Sequence, residues 1–178
     1  MRAFLTVLLV IFSVIVFAET SHCSKNEKIV FSCVVNKKVV SICASQDLSP
    51  TTGYMQYRFG KIGALEIQIP KLNEHPFKSV EADAYQAASG QNGFISFKSG
   101  EYLYVINWSS YRSDQNASNG SSIWLGESGL VVVHKEKEIA NFKCDPTSDG
   151  DVLEVDPYYL HSQVGFPQNK KESSENGT

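Results

Sequence analysis

The sequence predicts an all-β protein: a single antiparallel β-sandwich or β-barrel of about 8–10 short strands, held by two disulfides. Three observations carry this expectation. From Ile29 onward, short β-branched and aromatic runs recur, each broken by Gly, Pro, Asn or Ser. Several of these runs alternate apolar and polar residues, as a strand buried on one face must. Four cysteines follow an export-like leader, and an even number of thiols in an oxidising compartment is the setting for disulfides.

Taken in order, Met1-Arg2 forms a short positive start, and Ala3 to Phe17 is an almost unbroken apolar run. Val16-Phe17-Ala18 satisfies the small-residue rule for signal peptidase, which predicts cleavage after Ala18. The run is short for a membrane span, which needs roughly 20 residues, and no second such run follows. Residues 1–18 are therefore expected to be a signal peptide, 19–166 a β domain, and 167–178 a disordered polar tail. The expected location is periplasmic or secreted. Cys23 is preceded by Thr20-Ser21-His22 rather than by small apolar residues, which argues against lipidation.

The expected strands begin with the hairpin Ile29–Val35 and Val39–Ala44, turning at Asn36-Lys37-Lys38. Of the three pairings that four cysteines allow, that hairpin favours Cys33 with Cys43 and Cys23 with Cys144, the latter a bridge that closes a loop of more than 100 residues. On a chain-entropy argument such a closure stabilises by roughly 4–5 kcal/mol. Tyr54–Phe59 and Ala64–Ile69 follow through the turn Gly60-Lys61-Ile62-Gly63. Ser79–Ala88 contains helix formers, but its strand neighbours and the flanking Pro76 and Gly90 favour a strand. Phe94–Phe97 and Tyr102–Ile106 form a hairpin around Ser99-Gly100. Ile123–Leu125, Gly129–His134 and Ile139–Phe142 complete the series. Ser113–Ser122 is polar and rich in Gly, Asn and Ser, which predicts a mobile loop.

Charge and motif content narrow the function. The net charge of −3 argues against a nucleic-acid partner, which selects a basic stripe. No G-x-S-x-G elbow, phosphate-binding glycine loop or C-x-x-C zinc pair is present, so the sequence predicts no cofactor, no metal and no catalytic residue. Of the histidines, His134 alone lies in an apolar run, where a sheet-face role is expected. Glu66, Glu81, Asp83 and Glu101 are read as acids on solvated strand faces. Asp145, Thr147, Asp149 and Gly150 partly fit a calcium loop that would extend through Asp151 to Asp156. Thr147 and Asp156 depart from its ligand pattern, and the strand before Cys144 takes the place of a flanking helix, so a plain acidic turn is favoured. Three internal sequons, at Asn107, Asn116 and Asn119, matter only in a eukaryotic secretory pathway.

What remains is a recognition surface. Tyr102, Tyr104, Trp108, Tyr111 and Trp124 surround Ser99-Gly100 and the polar loop. Aromatics among Ser, Asn and Gly suit protein recognition, though core packing is the favoured reading for each of them. Strand alternation places Tyr102 and Tyr104 on one face, with Glu101 and Leu103 on the other.

The block from Cys33 through Ser41-Ile42-Cys43-Ala44-Ser45, Asp47-Leu48-Ser49 and Gly53-Tyr54-Met55-Gln56-Tyr57-Arg58-Phe59-Gly60-Lys61 resembles a family of small exported bacterial β proteins. The likeness continues through Ile95-Ser96-Phe97, Ser99-Gly100, Tyr102–Val105 and the closing Asn141–Cys144. It implies export and leaves the mechanism open. A looser similarity is to periplasmic lysozyme inhibitors, which insert a loop with a Ser-Gly and aromatic motif into the enzyme cleft. Here Ser99-Gly100-Glu101-Tyr102 is the counterpart. The similarity implies that Ser99 and Tyr102 hydrogen-bond the enzyme's carboxylates while Glu101 steers a cationic partner. The binding residues expected are thus Ser99, Gly100, Glu101, Tyr102 and Tyr104. The expected partner is another protein, a cell-wall hydrolase or, alternatively, an envelope component met through a sheet edge. A hydrolase with carboxylates assembled across strands and a small-ligand carrier are lesser readings.

Overall fold

The computed structural model describes residues 21–76, 79–87, 89–116 and 118–145. Among the described residues nine strands run in sequence: β1 (Glu27–Val35), β2 (Lys38–Ser45), β3 (Met55–Lys61), β4 (Ala64–Ile69), β5 (Val80–Ala87), β6 (Gly90–Ser99), β7 (Tyr102–Asn116), β8 (Ser122–His134) and β9 (Lys137–Lys143). They form two antiparallel meanders, β1-β2-β3-β4 and β5-β6-β7-β8-β9. The all-β class, the strand number and the two disulfides expected from sequence are all present. No helix among the described residues is long and apolar enough to cross a membrane, and the disulfides are compatible with an exported protein.

Register explains the core. In the first sheet Phe31, Cys33 and Val35 share a face with Val40, Ile42 and Ala44, and that face continues through Met55 and Tyr57 to Ile69. In the second sheet Val80 and Ala82 pair with Phe97 and Ile95, and the row continues through Ile106 to Leu130. These two faces form one buried cluster. Tyr57 bridges it, with its ring centroid 5.9 Å from Phe97 and 5.1 Å from Tyr104. Two sheets sharing one core are a sandwich, joined through residues 70–79.

The opposite face of the first sheet is polar yet covered. Ser32, Ser41 and Arg58 stand in one cross-strand row, and residues 21–24 lie over it. The His22 amide donates to Ser41 Oγ at 3.0 Å, and an Arg58 guanidinium N–H donates to the His22 carbonyl at 2.9 Å. Arg58 also makes a two-pronged contact with Glu27, at 2.8 and 2.7 Å. Burial alone would raise the Glu27 carboxyl. Hydrogen bonds from Arg58, the Ser24 amide and the Tyr54 hydroxyl outweigh it, and the pKa is held down at about 2.

The disulfides connect Cys23 with Cys43 and Cys33 with Cys144, which corrects the expected pairing of Cys33 with Cys43 and Cys23 with Cys144. The reason is the turn. Asn36 and Lys37 both adopt left-handed dihedrals (φ 49° and 64°), giving a two-residue hairpin loop. Cys33 therefore faces Val40, while Cys43 faces Ile29. The two sulfurs lie three rungs apart, roughly 10 Å along the strands, and on opposite faces. Cys43 is left for the overlying segment, and Cys33 for the end of β9. The long loop survives with a different partner, at a separation of 111 residues.

One further expectation holds and another changes. Within Ser79–Ala88 the stretch Val80–Ala87 is a strand, as favoured. The loop expected at Ser113–Ser122 is shorter than that, because β7 runs to Asn116 and β8 starts at Ser122. A two-stranded ribbon reaching past the core needs no apolar residues, so its composition imitates a loop. The leader at 1–18, the tail at 167–178, His161 and Asp149, Asp151 and Asp156 lie outside the described residues. Asp145 is described, and its amide donates to the Val34 carbonyl at 2.7 Å.

Candidate functional site

The turn between β6 and β7 is the site the sequence singles out, and its geometry follows from one glycine. Ser99 pairs with Tyr102, which leaves Gly100-Glu101 as a two-residue loop. Gly100 sits at φ 60°, with nothing within 4 Å of where a Cβ would be. Its requirement is conformational: a tight hairpin with the strand's own twist needs a left-handed residue there. Ser99, Gly100 and Glu101 are exposed at the end of the second sheet.

The adjacent β8–β9 turn supports this one. Tyr102 pairs with His134, and their rings stack at 4.3 Å. The Lys135 amide donates to the Glu101 carbonyl at 3.2 Å, so the two turns are tied backbone to backbone. The Glu101 carboxylate lies 3.6 Å from His134 Nε2 and 3.4 Å from Lys135 Nζ. Lys135 and Glu136 occupy left-handed dihedrals, φ 49° and 64°, which neither glycine nor asparagine is there to ease. Each such residue costs about 1 kcal/mol.

The two tyrosines behave differently. Tyr102 is 39% exposed and stands at the rim. Tyr104 is half-buried against the core cluster, and burial, with Tyr102 adding a smaller effect, pushes its hydroxyl pKa up. Tyr102 stacks on Tyr104 and Tyr104 meets Tyr57 at a tilt, with centroids 6.4 and 5.1 Å apart. This column runs from the rim into the core, so the turn is anchored by packing as well as by its ladder. Of the five expected binding residues, Ser99, Gly100, Glu101 and Tyr102 form one exposed rim, and Tyr104 serves as its footing.

Sequence reasoning missed His134 and Lys135. They belong to another hairpin, and only the pairing of Tyr102 with His134 brings them in. Trp108 is buried in the core and Tyr111 is exposed further along β7, while the Trp124 side chain lies outside the described residues. The other two described histidines contact backbone: His22 Nε2 lies 3.1 Å from the Gly60 carbonyl, and His75 Nε2 lies 3.0 Å from that of Ser49. Among the described residues, no three His, Cys, Asp or Glu side chains could hold a metal ion.

Asp83 departs from its expected place on a solvated face. It is 9% exposed, accepting the Tyr85 hydroxyl at 2.6 Å and the Ala84 amide at 2.8 Å. Fold and rim together define a disulfide-bonded antiparallel sandwich with a rigid, exposed double turn. Set against known proteins, the chain matches no family model, no curated protein and no solved structure.

Proposed function

We propose that this chain is an exported binding protein, acting in the periplasm or outside the cell, that occludes a peptidoglycan-degrading enzyme of the lysozyme type. The observation that carries the reading is the double turn, where Ser99, Glu101 and Tyr102 stand exposed on a backbone held by the Glu101–Lys135 hydrogen bond and the Tyr102–His134 stack. Such a rim meets a cleft with little conformational entropy to lose. Ser99 and Tyr102 supply hydroxyl donors for the carboxylates of a glycan-cleaving cleft. Glu101 and the net charge of −3 favour encounter with a cationic enzyme. The apolar leader at Met1–Ala18 and the two disulfides support export. The sheet-edge alternative is disfavoured at β9, where Lys137 and Lys143 guard both ends of the strand.

The test is a titration of the oxidised protein, Glu19 to Thr178, into lysozymes of several structural types while cell-wall clearance is followed. Stoichiometric inhibition of at least one type is expected. The double variant Ser99→Ala/Tyr102→Ala weakens it about a hundredfold, corresponding to two lost anchors of roughly 1–2 kcal/mol each. No inhibition by the oxidised protein across the panel would sink the proposal. Inhibition indifferent to both substitutions would move it to another surface.

A further inference from the structure

The outer face of the second sheet carries a groove independent of the double turn. Its floor is set by register. Asn92, Ser109 and Glu127 form one outward row, and Phe94, Asn107, Gly129 and Lys143 form the next. With Tyr85 at one side and Asn141 at the other, these residues line a depression of about 580 Å³. A second depression of about 340 Å³ shares Tyr85, Asn92 and Ser109 with the first and extends it to Tyr111. Both volumes fall within the ordinary range for ligand sites, about 300–1,000 Å³. From β5 to β9 the groove crosses four strand spacings, about 19 Å.

The chemistry of the lining selects a ligand class. Tyr85 is 46% exposed, but its hydroxyl is already committed to the buried Asp83 carboxylate. What it offers a ligand is therefore a ring of fixed orientation, a flat apolar platform. Tyr111, also exposed, adds a second ring at the far end. Between and beside them stand amides and hydroxyls, Asn92, Asn107, Asn141 and Ser109, which both donate and accept. Gly129 leaves the floor open, since a Cβ there would lie 3.2 Å from Asn107 Oδ1 and 2.6 Å from the Phe142 carbonyl.

Other ligand classes fit poorly. The lining cation Lys143 contacts Glu127 at 3.3 Å, so the groove carries no net charge for a phosphate or a nucleic acid. An apolar ligand would strand the amides without partners. An extended peptide gains its main-chain hydrogen bonds by lying along a sheet edge, whereas this lining runs across the face of the sheet, from one edge strand to the other. A chain of pyranose rings satisfies every feature: C–H faces for the tyrosines, and many hydroxyls for the amides.

We infer that the outer face of the second sheet, from Tyr111 and Tyr85 across Asn92 and Asn107 to Asn141, is a binding groove for an uncharged polysaccharide. This assignment does not rest on the inhibitor reading, and the two surfaces are separable by mutation.

The experiment is calorimetric titration of the oxidised protein with soluble β-1,4-linked hexasaccharides, one of glucose and one of N-acetylglucosamine, and with heparin as the anionic control. Binding of at least one neutral hexamer is expected, and the stronger of the two identifies whether the amides serve hydroxyls or acetamido groups. Tyr85→Ala and Asn107→Ala should each weaken it about tenfold. Tyr85→Phe, which keeps the ring and loses the hydroxyl, should bind within about twofold of the parent, and Ser99→Ala should leave binding unchanged. Circular dichroism of each variant separates loss of binding from loss of fold. Failure of both neutral hexamers, binding of heparin alone, or binding indifferent to Tyr85→Ala and Asn107→Ala would overturn the assignment.

Discussion

The two sheets present opposite solutions to the same problem. Each has one face in the shared core, but the first sheet also closes its second face, with residues 21–24, the Cys23–Cys43 bridge and the Arg58–Glu27 pair. The outer face of the second sheet stays open and carries Tyr85, Tyr111 and Leu125 at the surface. An isolated structural need would close both. The first sheet is thus sealed by a bridge and a buried ion pair on its second face, and both proposed binding surfaces, the groove and the double turn, fall on the second sheet.

That division predicts unequal responses to charge removal. Glu27 and Arg58 side chains are 3% and 13% exposed. Arg58→Ala strands a buried carboxylate and should destabilise by about 3–5 kcal/mol in chemical denaturation. On the second sheet Glu127 pairs with Lys143 in solvent, and Glu127→Ala should change stability by less than about 0.5 kcal/mol. Equal effects at the two positions would erase the distinction.

Acid should act on the same asymmetry. The Glu27 carboxyl, ordinarily near 4.5, is held at about 2 in the folded protein. A lowered native pKa contributes stability that is complete above the ordinary value and disappears as pH falls towards the native one. Stability should therefore drop between pH 4.5 and 2 by about 3 kcal/mol from this group. Glu27→Gln should flatten that part of the profile. A profile as steep in the variant as in the parent would show that other carboxyls carry the acid response.

These contrasts also show what was legible in the chain. Alternation in Ala64–Ile69 and the β-branched run Ile29–Val35 announce strands because a half-buried ladder demands period two. The Ser99–Tyr102 turn was legible for a similar reason, since Ser-Gly between strand-forming runs is a local signal. The disulfide pairing was not. It depended on whether the turn centred near Lys38 or between Asn36 and Lys37, and a displacement of that size moved Cys43 both along and through the sheet. The covered face of the first sheet was hidden as well, because nothing local to Ser32, Ser41 or Arg58 signals that the segment around His22 lies over them. The groove was least legible. Its residues run from Tyr85 to Lys143 over five strands, and no window of sequence holds more than a few of them.

The smallest effect compares two turns of equal geometry. Asn36-Lys37 and Lys135-Glu136 share φ values of 49° and 64°, yet only the first has an asparagine to ease its left-handed backbone. Lys135→Asn/Glu136→Gly supplies the residues that this turn favours and should raise stability by about 1 kcal/mol, or roughly 4 °C in melting temperature. Lys37→Gly in the first turn should gain less, because one of its two positions is already relieved. The double turn itself should survive the exchange. Its tie to Glu101 runs through the amide of residue 135, which any residue but proline supplies, and the exposed Lys135–Glu101 contact contributes little. Lysozyme inhibition by the stabilised variant should thus match the parent within about twofold. A large loss would instead make the Lys135 side chain part of the rim, and would extend the recognition surface from one hairpin to two.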